Sequence, residues 1–232
     1  LFHSDPVGVN YRDGSSTLGV TSELSVTKLA SISECPHKFY LQNICKFTDD
    51  DLLTIQELTG SNPIQQTHSS GDVVSNSDRG TKLHAVISEM INRNWVIPYY
   101  INDDNDIRSL EWIKSVLIPK ITDFKFISEE AIKLSFFGFT ISGTPDLVLV
   151  PNDSKKSAEI WDYKTGKVKQ DASSYWFQLM TYAYALYQLN IIKKENSVKL
   201  ALSYLDHQKI EEKTLSFEII KTQLFDDWSN TC

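Results

Sequence analysis

The chain has 232 residues, 41% of them hydrophobic and 11% aromatic, with 23 Lys+Arg against 30 Asp+Glu for a formal net charge of −7. That length buries a core without disulfide or metal staples, and the acidic balance argues against holding nucleic acid by a diffuse basic surface, because neutralising phosphates takes clustered Lys and Arg. No run approaches the roughly 18 apolar residues of a membrane span, and Cys35, Cys45 and Cys232 match no zinc spacing, so a cytoplasmic protein without a membrane partner is expected.

Residues 1–23 carry Gly, Ser, Asp and Asn with little periodic hydrophobicity and read as an N-terminal arm or linker, leaving 24–232 as one domain. The opening LFHSDPVGVNYRD lacks the basic start and apolar run of a secretory signal. With no Met at position 1, excision from a longer chain is expected. From Ser25, a good N-cap, SVTKLASISE places Val26, Leu29, Ala30 and Ile32 at helical spacing, and Pro36 opens a second short helix, PHKFYLQNI. Residues 48–78 are polar and rich in Ser, Asn and Asp, which predicts a mobile insertion with one short helix over 52–58. Amphipathic helices are predicted over 79–95 and 107–121, so two helices precede any convincing strand.

The middle of the chain changes in kind. AIKLSFF, FTISG, DLVLV and AEIWDYK are rich in β-branched and aromatic residues and separated by turn signals, which predicts a strand meander over 130–164. A long helix, SSYWFQLMTYAYALYQL, follows, then VKLALSYLD and KTLSF as strands, then a closing helix from about Glu218. This order predicts an α/β (α+β) domain around one mixed sheet.

Asp162-Tyr163-Lys164 ends a predicted strand, so Asp162 and Lys164 project from one face. The same spacing occurs at Asp123 and Lys125, Asp153 and Lys155, and Glu211 and Lys213, where a surface ion pair explains it. Asp162 differs in the hairpin before it. Symmetric pairing about a turn centred near Ser154 sets Asp146 opposite Asp162, although a slip of one residue would undo this. Two carboxylates about 4 Å apart repel by roughly 4 kcal/mol at an effective dielectric near 20. A divalent cation removes that repulsion, and oxygen ligands suit Mg²⁺ or Mn²⁺. The plain alternative is that one Asp faces solvent or is neutralised by a lysine.

Two helices add polar residues at helical spacing: Gly80 with His84, and Gln178 with Tyr182. Singly, each reads as an ordinary core or surface residue. Together, GTKLH on a helix, SGTPDLV entering a strand, IWDYKTG ending the next, and FQLMTYAYAL on the following helix resemble the PD-(D/E)xK nuclease superfamily in its RecB/AddAB-like branch, over about 79–190. CPHKFYL extends the resemblance back to about residue 25.

The resemblance implies a restriction-endonuclease-like fold, with a mixed central β-sheet flanked by helices, and a Mg²⁺- or Mn²⁺-dependent deoxyribonuclease. By motif position it makes His84, Asp146, Asp162 and the Tyr163 carbonyl metal ligands. Lys164 becomes the residue that positions water and stabilises charge, and Gln178 and Tyr182 become supports of the site and contacts to DNA. Glu130, or equally Glu129, is an accessory acid. It also implies an exonuclease of DNA recombination and repair, attached to a helicase motor in the same polypeptide or in a partner subunit. No G-x-x-x-x-G-K-[ST] occurs, so any motor lies elsewhere. Some members of the branch hold an iron–sulfur cluster on four cysteine thiolates; with three cysteines here, none is expected. The competing reading is a catalytically silent DNA-binding or scaffolding module of the same fold.

Overall fold

The structure, a computed structural model, describes residues 23–34, 76–136 and 139–229. The predicted helix from Pro36, the helix over 52–58 and all three cysteines lie outside the described residues, as does the 1–22 stretch of the arm. Strand β1 (Glu23–Ser25) leads directly into helix α1 (Val26–Glu34). Ser25 Oγ accepts from the Lys28 N–H at 3.2 Å, the cap expected of a serine at that place.

Helix α2 is Asn76–Asn92, three residues earlier at each end than the apolar pattern indicates. Its start takes in the last residues of the polar stretch, with Asp78 in the first turn facing the positive end of the helix dipole. Its end is a turn in which Asn94 and Trp95 adopt positive φ of 52° and 63°. Helix α3 (Asp104–Leu117) is capped by Asp103, whose side chain accepts from the N–H groups of Asn105 and Asp106. Pro119 lies in the 3-10 turn Ile118–Lys120 that ends it short of Ile121.

Eight strands are found among the described residues, in two sheets rather than the one expected. Strands β3 (Ile132–Phe136) and β4 (Phe139–Gly143) form a hairpin that joins β1 in a small sheet ordered β1-β4-β3. The meander stops there. Gly143-Thr144-Pro145 interrupts the pairing, and the chain crosses into a five-stranded sheet ordered β2-β5-β6-β7-β8. Its members are β2 (Phe124–Ser128), β5 (Leu147–Pro151), β6 (Ala158–Lys164), β7 (Val198–Tyr204) and β8 (Lys209–Leu215). The sheet is mixed: β6 and β7 are parallel and the other pairs antiparallel. Helix α4 (Ser173–Gln188) supplies the crossover a parallel pair needs, and α5 (Phe217–Ser229) closes the described chain.

Alternation along the strands covers both faces of the large sheet. Leu147, Leu149, Trp161 and Tyr163 pack with Leu83, Ile87 and Met90 of α2 and Leu110 and Ile113 of α3. Val148, Ile160, Leu200 and Leu202 pack with α1, α4 and α5 through Val26, Phe177, Leu186 and Ile220. This sheet flanked by helices is the architecture expected for a restriction-endonuclease-like fold. No helix among the described residues is long and apolar enough to cross a membrane.

Candidate active site

The β5–β6 register fixes the first two carboxylates. Leu147 pairs with Trp161, Val148 with Ile160 and Leu149 with Glu159, so one further step sets Asp146 across from Asp162, the symmetric pairing read from the hairpin. Asp146 immediately precedes β5, and Asp162 and Lys164 lie where the parallel strands β6 and β7 end together. The carboxyl ends of parallel strands are where open α/β sheets place their ligand sites.

Asp146 is tied on both oxygens. Its Oδ1 lies 3.1 Å from His84 Nδ1, and its Oδ2 accepts the Tyr163 N–H at 2.6 Å. Tyr163 thus enters the site through its amide, while its ring packs edge-on against His84 with centroids 5.6 Å apart. Burial works to lower the His84 pKa, but the Asp146 carboxylate outweighs it and holds the imidazole above its usual value.

Glu129, rather than Glu130, completes this group. Single ligand atoms from His84, Glu129 and Asp146 lie within 4.8 Å of one another. Glu129 follows β2 with a positive φ of 54°, and its N–H bonds the Asp146 carbonyl at 3.3 Å. A non-glycine residue held there costs of order 1–3 kcal/mol, and such strain clusters at functional sites. Burial, then the neighbouring Asp146, raise the Glu129 pKa.

Asp162 stands beside this group with its charge turned to Lys164. Lys164 Nζ is 2.6 Å from Asp162 Oδ2, so the buried carboxylate is neutralised by the lysine two residues on, as the plain alternative allowed. Burial pushes the Asp162 carboxyl up to about 6; Lys164 opposes that rise and Asp146 adds to it. Lys164 keeps a raised pKa because Asp162 outweighs the effect of its own burial. The contrast is Glu159, also buried, which has Lys120 at 2.9 Å, Lys199 at 3.4 Å and the Trp161 indole N–H at 3.0 Å. The hard oxygen donors of Glu129 and Asp146 and the nitrogen of His84, which come within 4.8 Å of one another, fit a divalent cation.

The α4 pair meets the site from the other face. Gln178 Nε2 donates to the Tyr182 hydroxyl at 3.4 Å, which donates to the Thr144 carbonyl at 3.2 Å. The Tyr182 ring lies so close to Gly143 that an added Cβ there would sit 2.8 Å from Cε1, so glycine lets α4 press on the strand that leads to Asp146. Burial pushes the Tyr182 phenol up to about 12.

A clamp that the motifs did not reveal fixes the chain after Lys164. Arg79, one residue before Gly80, bonds Asp106 through Nε at 2.8 Å and grips Asp206 with two nitrogens at 2.8 and 3.0 Å. Asp206 also accepts the Gly166 N–H at 2.6 Å, and Gly166 takes a φ of +83° that glycine tolerates. The turn after β6 is thereby tied to the helix carrying His84. The legible signal was an arginine directly before the GTKLH motif; its partner 127 residues away carried none.

The PD-(D/E)XK nuclease superfamily pattern matches residues 23–232. A solved protein named SSO0001 is similar over 92% of this chain and 79% of its own, at 14% identity and a TM-score of 0.40. A Eubacterium rectale protein named, provisionally, as an exonuclease is similar over 77% of this chain and 70% of its own, at 10% identity and a TM-score of 0.40. No curated protein matches.

Proposed function

The chain belongs to the PD-(D/E)XK nuclease superfamily, and from that premise we propose that it is a Mg²⁺- or Mn²⁺-dependent nuclease of DNA. The observation that carries the proposal is the meeting of His84, Glu129 and Asp146 beside a buried Asp162 that pairs with Lys164. We assign His84, Glu129, Asp146 and Asp162 to hold the cation, with the Tyr163 carbonyl as a further oxygen donor. The cation, when bound, supplies Lewis acidity and charge to a phosphodiester undergoing in-line displacement.

The chain's own groups do the rest. Lys164, held in its charged form by Asp162, orients the attacking water and faces the negative charge that grows on the phosphate oxygens. Asp146 is held in one orientation by His84 and by the Tyr163 amide. Gln178 and Tyr182 brace the strand entry and offer polar contacts to the nucleic acid. No covalent enzyme intermediate is required.

We extend the proposal to an exonuclease of the RecB/AddAB-like branch, fed by a helicase motor in the same polypeptide or in a partner subunit. The chain order of GTKLH, TPD, DYK and QLMTY supports this extension. A catalytically silent module has no need of a buried lysine–aspartate contact at the end of a strand, and that contact favours activity.

The test is hydrolysis of end-labelled linear and covalently closed DNA, single- and double-stranded, with Mg²⁺, Mn²⁺ or EDTA. Metal-dependent loss of linear DNA with closed circles spared is the expected result. Cleavage of closed circles would replace the exonuclease by an endonuclease, and cleavage of RNA alone would change the substrate class.

A further inference from the structure

Three side chains of α4 recur on one face of the helix: Tyr175, Gln178 and Tyr182 stand at i, i+3 and i+7. Gln178 and Tyr182 brace the strand entry to Asp146, and Tyr175 meets Lys164. Lys164 Nζ lies 4.2 Å from the centroid of the Tyr175 ring, within the roughly 6 Å at which an ammonium is attracted to an aromatic face. The ring is itself anchored. It is half-buried and packs against the core, and the Tyr175 N–H bonds the Ala172 carbonyl at 3.0 Å at the start of α4. Lys169 also lies over this ring, at 4.5 Å, with Asp171 as an anion acting on it.

Strand β6 alone does not fix the Lys164 head. Lysine ends in a compact ammonium on a flexible four-carbon stem, and a partner for the head is what selects among its rotamers. Asp162 is one such partner, at 2.6 Å. The same carboxylate is assigned above to the cation, and an anion shared between two positive charges restrains each of them less. Tyr175 offers a π face rather than a carboxylate and comes from a different element, so it restrains the ammonium whichever way Asp162 is engaged. We propose that Tyr175 is a positioning residue for the reaction, its ring face holding the Lys164 ammonium where the attacking water and the scissile phosphate meet. This rests on the nuclease reading above; the ring acts through Lys164 and needs no contact with the substrate.

The experiment compares Tyr175→Leu and Tyr175→Phe with the wild type in single-turnover cleavage of an end-labelled single-stranded oligodeoxynucleotide with Mn²⁺ and saturating protein. Binding of the same oligonucleotide, fluorescein-labelled, is followed by anisotropy in EDTA, and the Mn²⁺-induced shift in Tm is recorded for each protein. Tyr175→Leu keeps an apolar side chain in the core and removes the π face. It is expected to slow cleavage about tenfold while leaving Kd and the Mn²⁺-induced shift as in the wild type. Tyr175→Phe keeps the face and should restore the wild-type rate. On a Lys164→Met background Tyr175→Leu should cost nothing more, because the ammonium is already gone. Wild-type cleavage by Tyr175→Leu, a matching loss of DNA binding, or an equal loss of rate on both backgrounds would overturn the positioning role and leave the nuclease reading standing. Tyr175→Phe as slow as Tyr175→Leu would assign the effect to the hydroxyl and overturn it as well. If the wild type degrades no DNA with Mg²⁺ or Mn²⁺, the nuclease reading fails and the positioning role falls with it.

Discussion

Lys164→Met is expected to lower DNA cleavage by about 10²–10⁴-fold, the range for removing one positioned acid–base or charge-stabilising group. The side chain is one-fifth exposed, so its stem packs in the protein while its head meets Asp162 and the Tyr175 ring. Methionine keeps most of the stem and removes the charge. The Asp162 carboxyl, already pushed up to about 6 by burial, then loses the cation that opposes that rise and takes up a proton more readily near neutrality. Protonation spares the fold an unpaired buried charge. The variant should therefore unfold cooperatively in a circular dichroism melt and still bind DNA, while single-turnover cleavage shows the loss. A variant cleaving within tenfold of the wild type would remove Lys164 from the chemistry.

Asp146→Asn should abolish both cleavage and the stabilisation conferred by the cation. Asparagine can still accept the Tyr163 N–H that Asp146 accepts at 2.6 Å, so the local fold has a replacement partner, but the charge is gone. At a metal concentration of 100 times Kd the wild type gains about 2.7 kcal/mol. For a domain of this size that is about 5–10 °C in Tm. The variant should show almost none of that shift in differential scanning fluorimetry with Mg²⁺ or Mn²⁺.

The same assay carries a pH dependence. The folded Asp162 carboxyl sits at about 6 against 3.8 for the ordinary group, so the folded state binds its proton more tightly than the unfolded chain does. Below pH 3.8 both states are protonated and the group contributes nothing. Between 3.8 and 6 the metal-free fold loses stability through this group as pH rises, and above 6 the full cost is present. A cation relieves that cost by replacing the proton. The metal-induced shift is therefore expected to be large above pH 6 and to shrink below it.

Much of this site was legible because its parts lie in local patterns. The hairpin from DLVLV to AEIWDYK has a turn short enough that symmetric pairing held, with Lys155 and Lys156 N–H groups both bonded to Asp153. The helical spacing of His84 after Gly80 and of Tyr182 after Gln178 needed only the 3.6-residue period. What escaped depends on contacts distant in sequence. Strand β2 has the alternation of FKFIS, but its pairing with β5 across more than twenty residues is what makes it a strand. The choice of Glu129 over Glu130 rests on a positive φ that no residue type there announces. The split into two sheets follows from Gly143-Thr144-Pro145, read as a turn within one meander rather than a crossing between sheets. The Arg79–Asp206 clamp joins residues that no local pattern connects.

The most direct test of a cation held by these residues is a crystal of the wild type grown with Mn²⁺ and measured at the manganese absorption edge. An anomalous peak bounded by His84, Glu129 and Asp146, lost in Asp146→Asn crystals grown the same way, is the expected result. Protein that degrades DNA with Mn²⁺ yet shows no peak there, or shows its peak elsewhere, would contradict the assignment of the metal to this site.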